Sequence, residues 1–221
     1  MGGLGGGAID TLVIMEEFGK GLVVEPFIPS VVASGNLLRI AGSAAQQEEH
    51  GGRITTGEGI YALATSEPKS RYDLADVSTT AKKDGSGYIL NGHKSVVIGA
   101  PQADTLIVIA RTAGGQRERA GLTAFLVSKT AAGVSTKDYP TVDGLRASDV
   151  YLENVSVGAD AVIGPVDGIL PALEETQDNV IAALCAEAVG GMRVAHAMTV
   201  DYARQRKQFG VAIGSFQVLQ H

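Results

Sequence analysis

Three short segments of the chain place hydroxyl, amide, carboxylate or guanidinium groups close together, and such groups bind anions or close turns. They are Ala64-Thr65-Ser66-Glu67-Pro68 with Asp73, Leu90-Asn91-Gly92-His93-Lys94, and Arg206-Lys207-Gln208-Phe209-Gly210 with Gln217. Arg206 could hold a ligand phosphate, because a planar guanidinium donates paired hydrogen bonds to phosphate oxygens. It also stands with Arg204 near the end of a helical pattern, where the helix dipole favours cations. Taken alone, the first segment is interpreted as a strand-ending turn. A ligand-binding role and a structural role therefore both remain open for these segments.

Other residues with chemical potential favour ordinary structural roles. The glycine-rich residues 3–8 fit the dinucleotide fingerprint in form, but no strand precedes them, which argues against a nucleotide site. The histidines lack metal-ligand spacing and are expected to be surface or packed residues. They are His50, His93, His196 and His221. Cys185 lies in an apolar stretch and is expected to be a small buried hydrophobe. We predict no metal site.

The composition bounds the class of protein. The chain has 221 residues, of which 45% are hydrophobic and 19% are charged, and its net charge is -6. This composition is typical of a globular protein with a substantial core, and the acidic balance argues against nucleic-acid binding. A single cysteine excludes an internal disulfide framework. Neither an uninterrupted apolar run of membrane-spanning length nor a signal peptide is visible, so we expect a soluble cytoplasmic protein.

The texture of the sequence changes twice. Residues 9–50 have helical patterns, with Asp10 at a helix start, Ser43 as a cap, and Pro26 and Pro29 between helices. Residues 60–163 contain short apolar runs separated by turn residues, which predicts a small antiparallel β-sandwich or barrel. Asn91-Gly92 is the strongest hairpin signal, because a type I′ turn needs positive φ at both central residues.

Two further dipeptides, Asp84-Gly85 and Asp143-Gly144, are candidate turns. Residues 168–208 predict one long helix of roughly 60 Å, whose apolar faces need a bundle of helices around them. The pair Gly190-Gly191 in this helix predicts close helix packing. The predicted fold class is α+β, with N-terminal helices, a central β-domain and a long helix from an incomplete four-helix bundle. The predicted domains are residues 1–54, 55–165 and 166–221.

Taken together and in this order, the three segments resemble the flavin-dependent acyl-CoA dehydrogenases. The resemblance extends from Gly2 to His221, and the family pattern continues beyond both ends of the chain. It implies that residues 3–8 are a glycine loop before a helix. It implies FAD as cofactor, an acyl-CoA substrate that is desaturated between its α and β carbons, and an electron-transferring flavoprotein as electron acceptor. It also implies a homo- or hetero-oligomer in which flavin is shared across an interface. Residues 141–146 are similar to small-subunit chains of heteromeric or pimeloyl-CoA-type dehydrogenases.

The resemblance assigns cofactor-binding roles residue by residue. Leu63, Thr65 and Ser66 match a segment whose amides and hydroxyl bond the flavin ring. Val96 and Ile98 match an aromatic residue that packs on the flavin and a hydroxyl residue near its reactive nitrogen. A further set matches residues that reach the adenine and pyrophosphate of a flavin held mainly by a neighbouring subunit: Arg206, Phe209 and Gln217.

The remaining expectations concern substrate and catalysis. Tyr72 and Asp73 match positions at the acyl-CoA entry, where Arg71 and Tyr72 replace small residues. The family's catalytic base is a glutamate, and no glutamate falls in place in this chain, so no catalytic residue is named. Three functions remain open: an active dehydrogenase chain, a non-catalytic subunit of a heteromeric dehydrogenase, and an inactive fragment.

Overall fold

The computed structural model describes residues 5–221, which form two compact units. One unit contains residues 5 and 24–181, and the other contains residues 6–23 and 182–221. The helices in chain order are α1 (Ala8–Gly21), α2 (Asn36–Ala41), α3 (Ala44–Gln46), α4 (Gly52–Thr56), α5 (Leu170–Gln205) and α6 (Gln217–Gln220). The three-domain division 1–54, 55–165 and 166–221 remains a prediction. The predicted glycine loop at residues 3–8 lies partly outside the described residues.

The strands of the first unit form one eight-stranded sheet. They are β1 (Tyr61–Ala64), β2 (Thr80–Asp84), β3 (Gly87–Ile98), β4 (Thr105–Arg111), β5 (Leu122–Ser128), β6 (Val134–Pro140), β7 (Arg146–Val157) and β8 (Val162–Ile163). The strand order is β6-β7-β3-β2-β4-β5-β8, and β1 pairs with β4. The pairs β1·β4 and β2·β4 are parallel, and the others are antiparallel. The α+β class is confirmed, and the two parallel pairs are an addition that the sequence did not predict.

Both faces of the sheet are buried near its centre. Along β4, Leu106 and Val108 belong to one apolar cluster, whereas Ile107 and Ile109 belong to another. Successive side chains of a strand point to opposite faces, so an uninterrupted apolar run is what a strand covered on both sides requires. The second cluster also contains Leu37 and Leu38 of α2 and Leu173 of α5.

The segments before β1 are helical, as predicted. A π-helical segment, Ile28–Gly35, leads into α2, and a second one, Gln47–Gly51, joins α3 to α4. Pro29, predicted to lie between helices, lies instead in the first turn of the first segment, where its missing N–H would have no helical partner. The Ser43 hydroxyl accepts a hydrogen bond from the Gln46 amide at 3.2 Å, which confirms the predicted cap.

The hairpin predicted at Asn91-Gly92 is wrong. Both residues lie inside β3, where Asn91 pairs with Thr80 and Gly92 pairs with Leu152. A Cβ on Gly92 would lie 2.3 Å from the Thr79 hydroxyl oxygen, so this glycine allows close packing and does not form a turn. The candidate turns at residues 84–85 and 143–144 are confirmed between paired strands, each with its glycine at positive φ.

In the second unit, α1 packs closely against α5. A Cβ on Gly190 would lie 2.0 Å from the Glu16 carbonyl oxygen, and one on Gly19 would lie 1.9 Å from that of Glu187. The predicted close packing is therefore confirmed at Gly190, whereas Gly191 has only an ordinary contact at 3.7 Å. Helix α1 begins at Ala8, so the start predicted at Asp10 is wrong by two residues. Asp10 lies in the first turn, where its carboxylate accepts a hydrogen bond from the Gly7 amide at 2.7 Å.

The part of α5 in this unit exposes many apolar side chains. The large exposed ones are Leu184, Val189, Met192, Val194, Met198 and Tyr202. Cys185 is also exposed, so its predicted burial is wrong. The apolar stretch around Cys185 indicates a covered helix, but the described residues do not cover this face.

Helix α5 is also long and apolar enough, by length and composition, to cross a membrane. It is the single helix of this kind in residues 5–221. Charged residues interrupt its apolar run at intervals, so the sequence shows no uninterrupted run of membrane-spanning length. Only 11% of its most apolar stretch of 18 residues is buried.

Candidate functional site

The first two sequence segments lie side by side at one edge of the β-domain. The Ser95 amide of β3 donates a hydrogen bond to the Ser66 carbonyl at 2.9 Å. The Lys94 ammonium donates to the Thr65 carbonyl at 3.2 Å. These contacts join residues that are about thirty positions apart, and they fix the backbone that follows β1 against the middle of β3.

A buried ion pair supports this edge. Lys94 Nζ lies 2.8 Å from Glu67 Oε1, and the two side chains are 0% and 4% exposed. Glu67 also accepts hydrogen bonds from the amides of Ser78 and Thr79, at 2.8 and 2.9 Å, and from the Ser78 hydroxyl. One carboxylate therefore connects the end of β1, the approach to β2 and the middle of β3.

The electrostatics of the pair follow from burial and attraction. Burial by itself would raise the pKa of Glu67, but the charge and hydrogen bond of Lys94 and the bonds from Ser78 and Thr79 bring that pKa down to about 2. Burial lowers the pKa of Lys94 to about 8, against the attraction of Glu67. Both groups are therefore charged at neutral pH.

Five predicted cofactor-binding residues lie at this edge or on its two strands. Leu63 is in β1, Thr65 and Ser66 follow it, and Val96 and Ile98 end β3. All are at least partly exposed. Within the described part of the chain, no protein group hydrogen-bonds the Ser66 hydroxyl. This leaves one fixed polar group free for a ligand.

Val96 has an unusual backbone conformation. Its φ is 53°, its side chain is 54% exposed, and the pairing of β3 with β7 shifts register between Lys94 and Val97. Positive φ is a rare and strained state for a β-branched residue. The Val96 amide donates to Asp149 Oδ1 at 3.3 Å. Asp149 also accepts the Tyr139 hydroxyl at 3.0 Å.

The two predicted substrate-binding residues lie in the turn that follows Glu67. Tyr72 is fully exposed, and Arg71 before it has a φ of 49°. The Asp73 carboxylate accepts a hydrogen bond from the Ala75 amide at 2.9 Å, which holds the turn locally. The substrate roles of Tyr72 and Asp73 remain predictions.

The third segment forms a small hairpin in the second unit. Strands β9 (Lys207–Gln208) and β10 (Val211–Ala212) pair, and Phe209 and Gly210 between them both have positive φ. The two-residue loop thus resembles a type I′ turn and places Phe209 at the tip, 94% exposed. The Phe209 and Phe216 rings lie 6.4 Å apart, edge to face.

Arg206 immediately precedes this hairpin, and Gln217 begins α6 shortly after it. The Ile213 amide donates to the Arg206 carbonyl at 2.8 Å, which ties the two ends of the segment together. Both side chains are exposed, and no carboxylate of the described residues forms an ion pair with Arg206. A guanidinium without an internal partner suits phosphate binding.

Sequence reasoning missed two parts of the site. It named Glu67 as a turn residue and Lys94 as part of a motif, but it did not predict their contact. It did not single out Asp149 at all, since 53 residues separate it from Val96 and no short motif connects them. Among residues 5–221, no group of three or more His, Cys, Asp or Glu residues could hold a metal ion.

Comparison with protein families decides the relationship. Residues 62–155 match the family model of the acyl-CoA dehydrogenase middle domain. Residues 175–221 match that of the acyl-CoA dehydrogenase C-terminal domain. The chain belongs to the acyl-CoA dehydrogenase family. The family consists of oxidoreductases, and the resemblance drawn from the three segments is thereby confirmed.

Individual relatives agree with this assignment. A mitochondrial isovaleryl-CoA dehydrogenase of Oryza sativa subsp. japonica is 34% identical over 226 residues, covering 99% of this chain and 54% of the relative. The caffeyl-CoA reductase-Etf complex subunit CarC of Acetobacterium woodii is 31% identical over 225 residues, covering 99% and 59%. A solved FAD complex of PigA superposes with a TM-score of 0.91 at 28% identity, covering 99% and 59%. The chain thus spans somewhat more than half the length of each.

Proposed function

We propose that this acyl-CoA dehydrogenase chain binds FAD and takes part in the α,β-desaturation of an acyl-CoA thioester. The observation that carries the proposal is the arrangement at the β1–β3 edge. There the Ser66 hydroxyl is free, and the backbone on both sides of it is fixed by Lys94 and Ser95. A rigid donor of this kind favours an anionic flavin ring, because it needs no reorganisation when charge develops.

The residues present fit FAD in two places. At the β1–β3 edge, Thr65 and Ser66 would hold the polar edge of the flavin ring, and Val96 would supply an exposed apolar surface. In the second unit, Arg206 and Gln217 would bind the pyrophosphate and adenine portions of a flavin held by a neighbouring subunit. When bound, FAD supplies the hydride acceptor. This chain's residues orient it, and no residue is assigned as the catalytic base.

The proposed partners follow from the relatives and the resemblance. An acyl-CoA is the proposed substrate, since the relatives include a dehydrogenase and a reductase of CoA thioesters. An electron-transferring flavoprotein is the proposed electron partner, and the name of the CarC subunit places that relative in such a complex. Arg206 supports an oligomer that shares flavin, because its guanidinium has no ion-pair partner in the described part of the chain.

A second candidate is a non-catalytic subunit of a heteromeric dehydrogenase. The observation that favours it is the pair Val96 and Ile98, which replace the aromatic and hydroxyl residues of the family pattern. In this case the chain would contribute Arg206, Phe209 and Gln217 to the flavin of a catalytic partner. The wild-type chain would then bind flavin only after coexpression with that partner.

The test is the visible absorption spectrum of the chain purified after incubation with FAD. We expect a protein-bound flavin spectrum, and we expect Ser66→Ala to weaken FAD binding roughly 5- to 10-fold through loss of one hydrogen bond to the neutral oxidised ring. Ser86→Ala, in the exposed turn between β2 and β3, is the matched control and should bind like the wild type.

The outcomes separate the two candidates. A flavin-bound chain that reduces its flavin on addition of an acyl-CoA supports the first. A colourless chain that acquires flavin on coexpression with a full-length homologue supports the second. A chain that stays colourless in both experiments contradicts flavin binding altogether.

A further inference from the structure

The pairing of strands β3 and β7 shifts register twice. At each shift, a side-chain oxygen accepts a hydrogen bond from a backbone amide. At the first, between Leu90 and Gly92, the Asn91 side chain accepts a hydrogen bond from the Asn154 amide at 2.8 Å. At the second, between Lys94 and Val97, Asp149 accepts the Val96 amide. A bulge leaves a backbone amide without its ladder partner, so each bulge needs a substitute acceptor.

The two bulges differ in position along β3. The first lies near the hairpin end of the strand, where Asn154 has a φ of 53°. The second lies at the other end of β3, next to Ser66. It includes Val96, which we propose to contact the flavin. There Val96 has a φ of 53° and an exposed side chain. A strained backbone persists only where the surroundings determine it, and strained residues cluster at functional sites.

Asp149 is itself held in place. Its Oδ1 accepts the Tyr139 hydroxyl of β6 at 3.0 Å as well as the Val96 amide. Burial and the hydrogen bond to Asp149 raise the pKa of Tyr139, so the phenol stays a donor at neutral pH. Three neighbouring strands therefore contribute to one contact chain that ends at the Val96 backbone.

We propose that Asp149, oriented by Tyr139, is a positioning residue that sets the course of β3 from Val96 to Ile98 and thereby the wall of the flavin site. The proposal rests on the proposed function, because it assumes that this wall contacts flavin. Asp149 does not itself touch the cofactor in this proposal. It acts through the Val96 amide, and the bulge at Asn91 has no such role.

The test compares Asp149→Ala, Asp149→Asn and Asn91→Ala in the full chain. Two quantities are measured: hydrogen exchange of the Val96 amide by NMR, and the Kd for FAD with its visible circular dichroism. In Asp149→Ala we expect a faster-exchanging Val96 amide, a changed flavin dichroism and a Kd about 10-fold weaker. Asp149→Asn keeps an acceptor oxygen and should recover most of the affinity. Asn91→Ala removes the equivalent acceptor of the other bulge and should leave the Kd unchanged within about 2-fold.

The outcomes distinguish the positioning role of Asp149 from the proposed function of the chain. If Asp149→Ala frees the Val96 amide but binds FAD as tightly as the wild type, the positioning role is wrong and the proposed function stands. If Asn91→Ala weakens FAD as much as Asp149→Ala, the effect is general destabilisation and the proposal is overturned. If the wild type binds no FAD, alone or with a partner, the proposed function fails. Should Asp149→Ala not fold, Tyr139→Phe removes the support of Asp149 and is expected to give a smaller loss in the same direction.

Discussion

At the scale of single residues, the pair Glu67–Lys94 shows how burial and charge oppose each other. Two charges removed from water are costly unless they are paired and fully hydrogen-bonded. Glu67 meets this condition through Lys94, Ser78 and Thr79. The ion pair lies at the β1–β3 edge that we propose for flavin binding, where it fixes the backbone of Thr65.

We expect Glu67→Gln to lower the free energy of unfolding by roughly 3 to 5 kcal/mol, because it leaves the Lys94 ammonium buried without a counter-charge. The matched control is Glu174→Gln, which breaks the exposed pair of Glu174 with Arg119. That change should cost less than about 1 kcal/mol. Urea denaturation followed by far-UV circular dichroism measures both. Equal losses in the two variants would contradict the role of burial.

The same carboxylate predicts how stability depends on acid. The pKa of Glu67 is about 2 in the folded chain, below its usual 4.5, so the unfolded chain binds its proton first as the pH falls. The stabilisation is present above pH 4.5 and is lost as the pH falls toward 2, a change of about 3 kcal/mol. The difference in unfolding free energy between wild type and Glu67→Gln should therefore shrink between pH 6 and pH 2.5. A constant difference over this range would show that Glu67 does not titrate as described.

At the scale of elements, two adjacent glycines of α5 have opposite roles. Gly190 has no room for a Cβ beside the backbone of α1, whereas Gly191 has ordinary space. Both lie inside a helix, where glycine alone is unfavourable by about 1 kcal/mol relative to alanine.

Gly190→Ala should therefore destabilise the α1–α5 contact by about 1 to 3 kcal/mol, because the helices must move apart. Gly191→Ala should be neutral or stabilise the chain by up to about 1 kcal/mol through helix propensity. Thermal unfolding of the two variants provides the comparison, and hydrogen exchange in residues 8–21 reports α1 directly. Equal behaviour of the two variants would contradict the close approach at Gly190.

At the scale of the whole molecule, the apolar face of α5 stands out. Leu184, Met192 and Met198 are between 45% and 67% exposed. Large contiguous apolar surfaces of soluble proteins are normally covered by another chain or domain. The family relatives are longer than this chain, and it spans 54% and 59% of the two compared above.

We expect the 221-residue chain to self-associate at micromolar concentration through this face, because burial of each large side chain gains about 1.5 to 3 kcal/mol. Leu184→Glu with Met192→Glu should restore the monomer in sedimentation velocity. Val142→Glu is the control, since Val142 is fully exposed in the turn between β6 and β7. A wild-type chain that remains monomeric in sedimentation velocity at micromolar concentration would contradict this expectation.

Local patterns in the sequence determined much of this protein. The period of α5, the cap at Ser43 and the turn at Asp84-Gly85 follow from short-range rules, and the ordered segments led to the family. These features depend on residues that are close together in the sequence, so the sequence alone predicts them.

Only the tertiary structure decided the contacts that build the candidate site. Asn91-Gly92 has the local chemistry of a turn, but the packing of Thr79 against Gly92 makes it part of a continuous strand. The Glu67–Lys94 pair and the Asp149–Val96 bond join residues 27 and 53 positions apart. Such pairs depend on strand order and register, which arise from burial across the whole sheet and leave no periodic trace in the sequence.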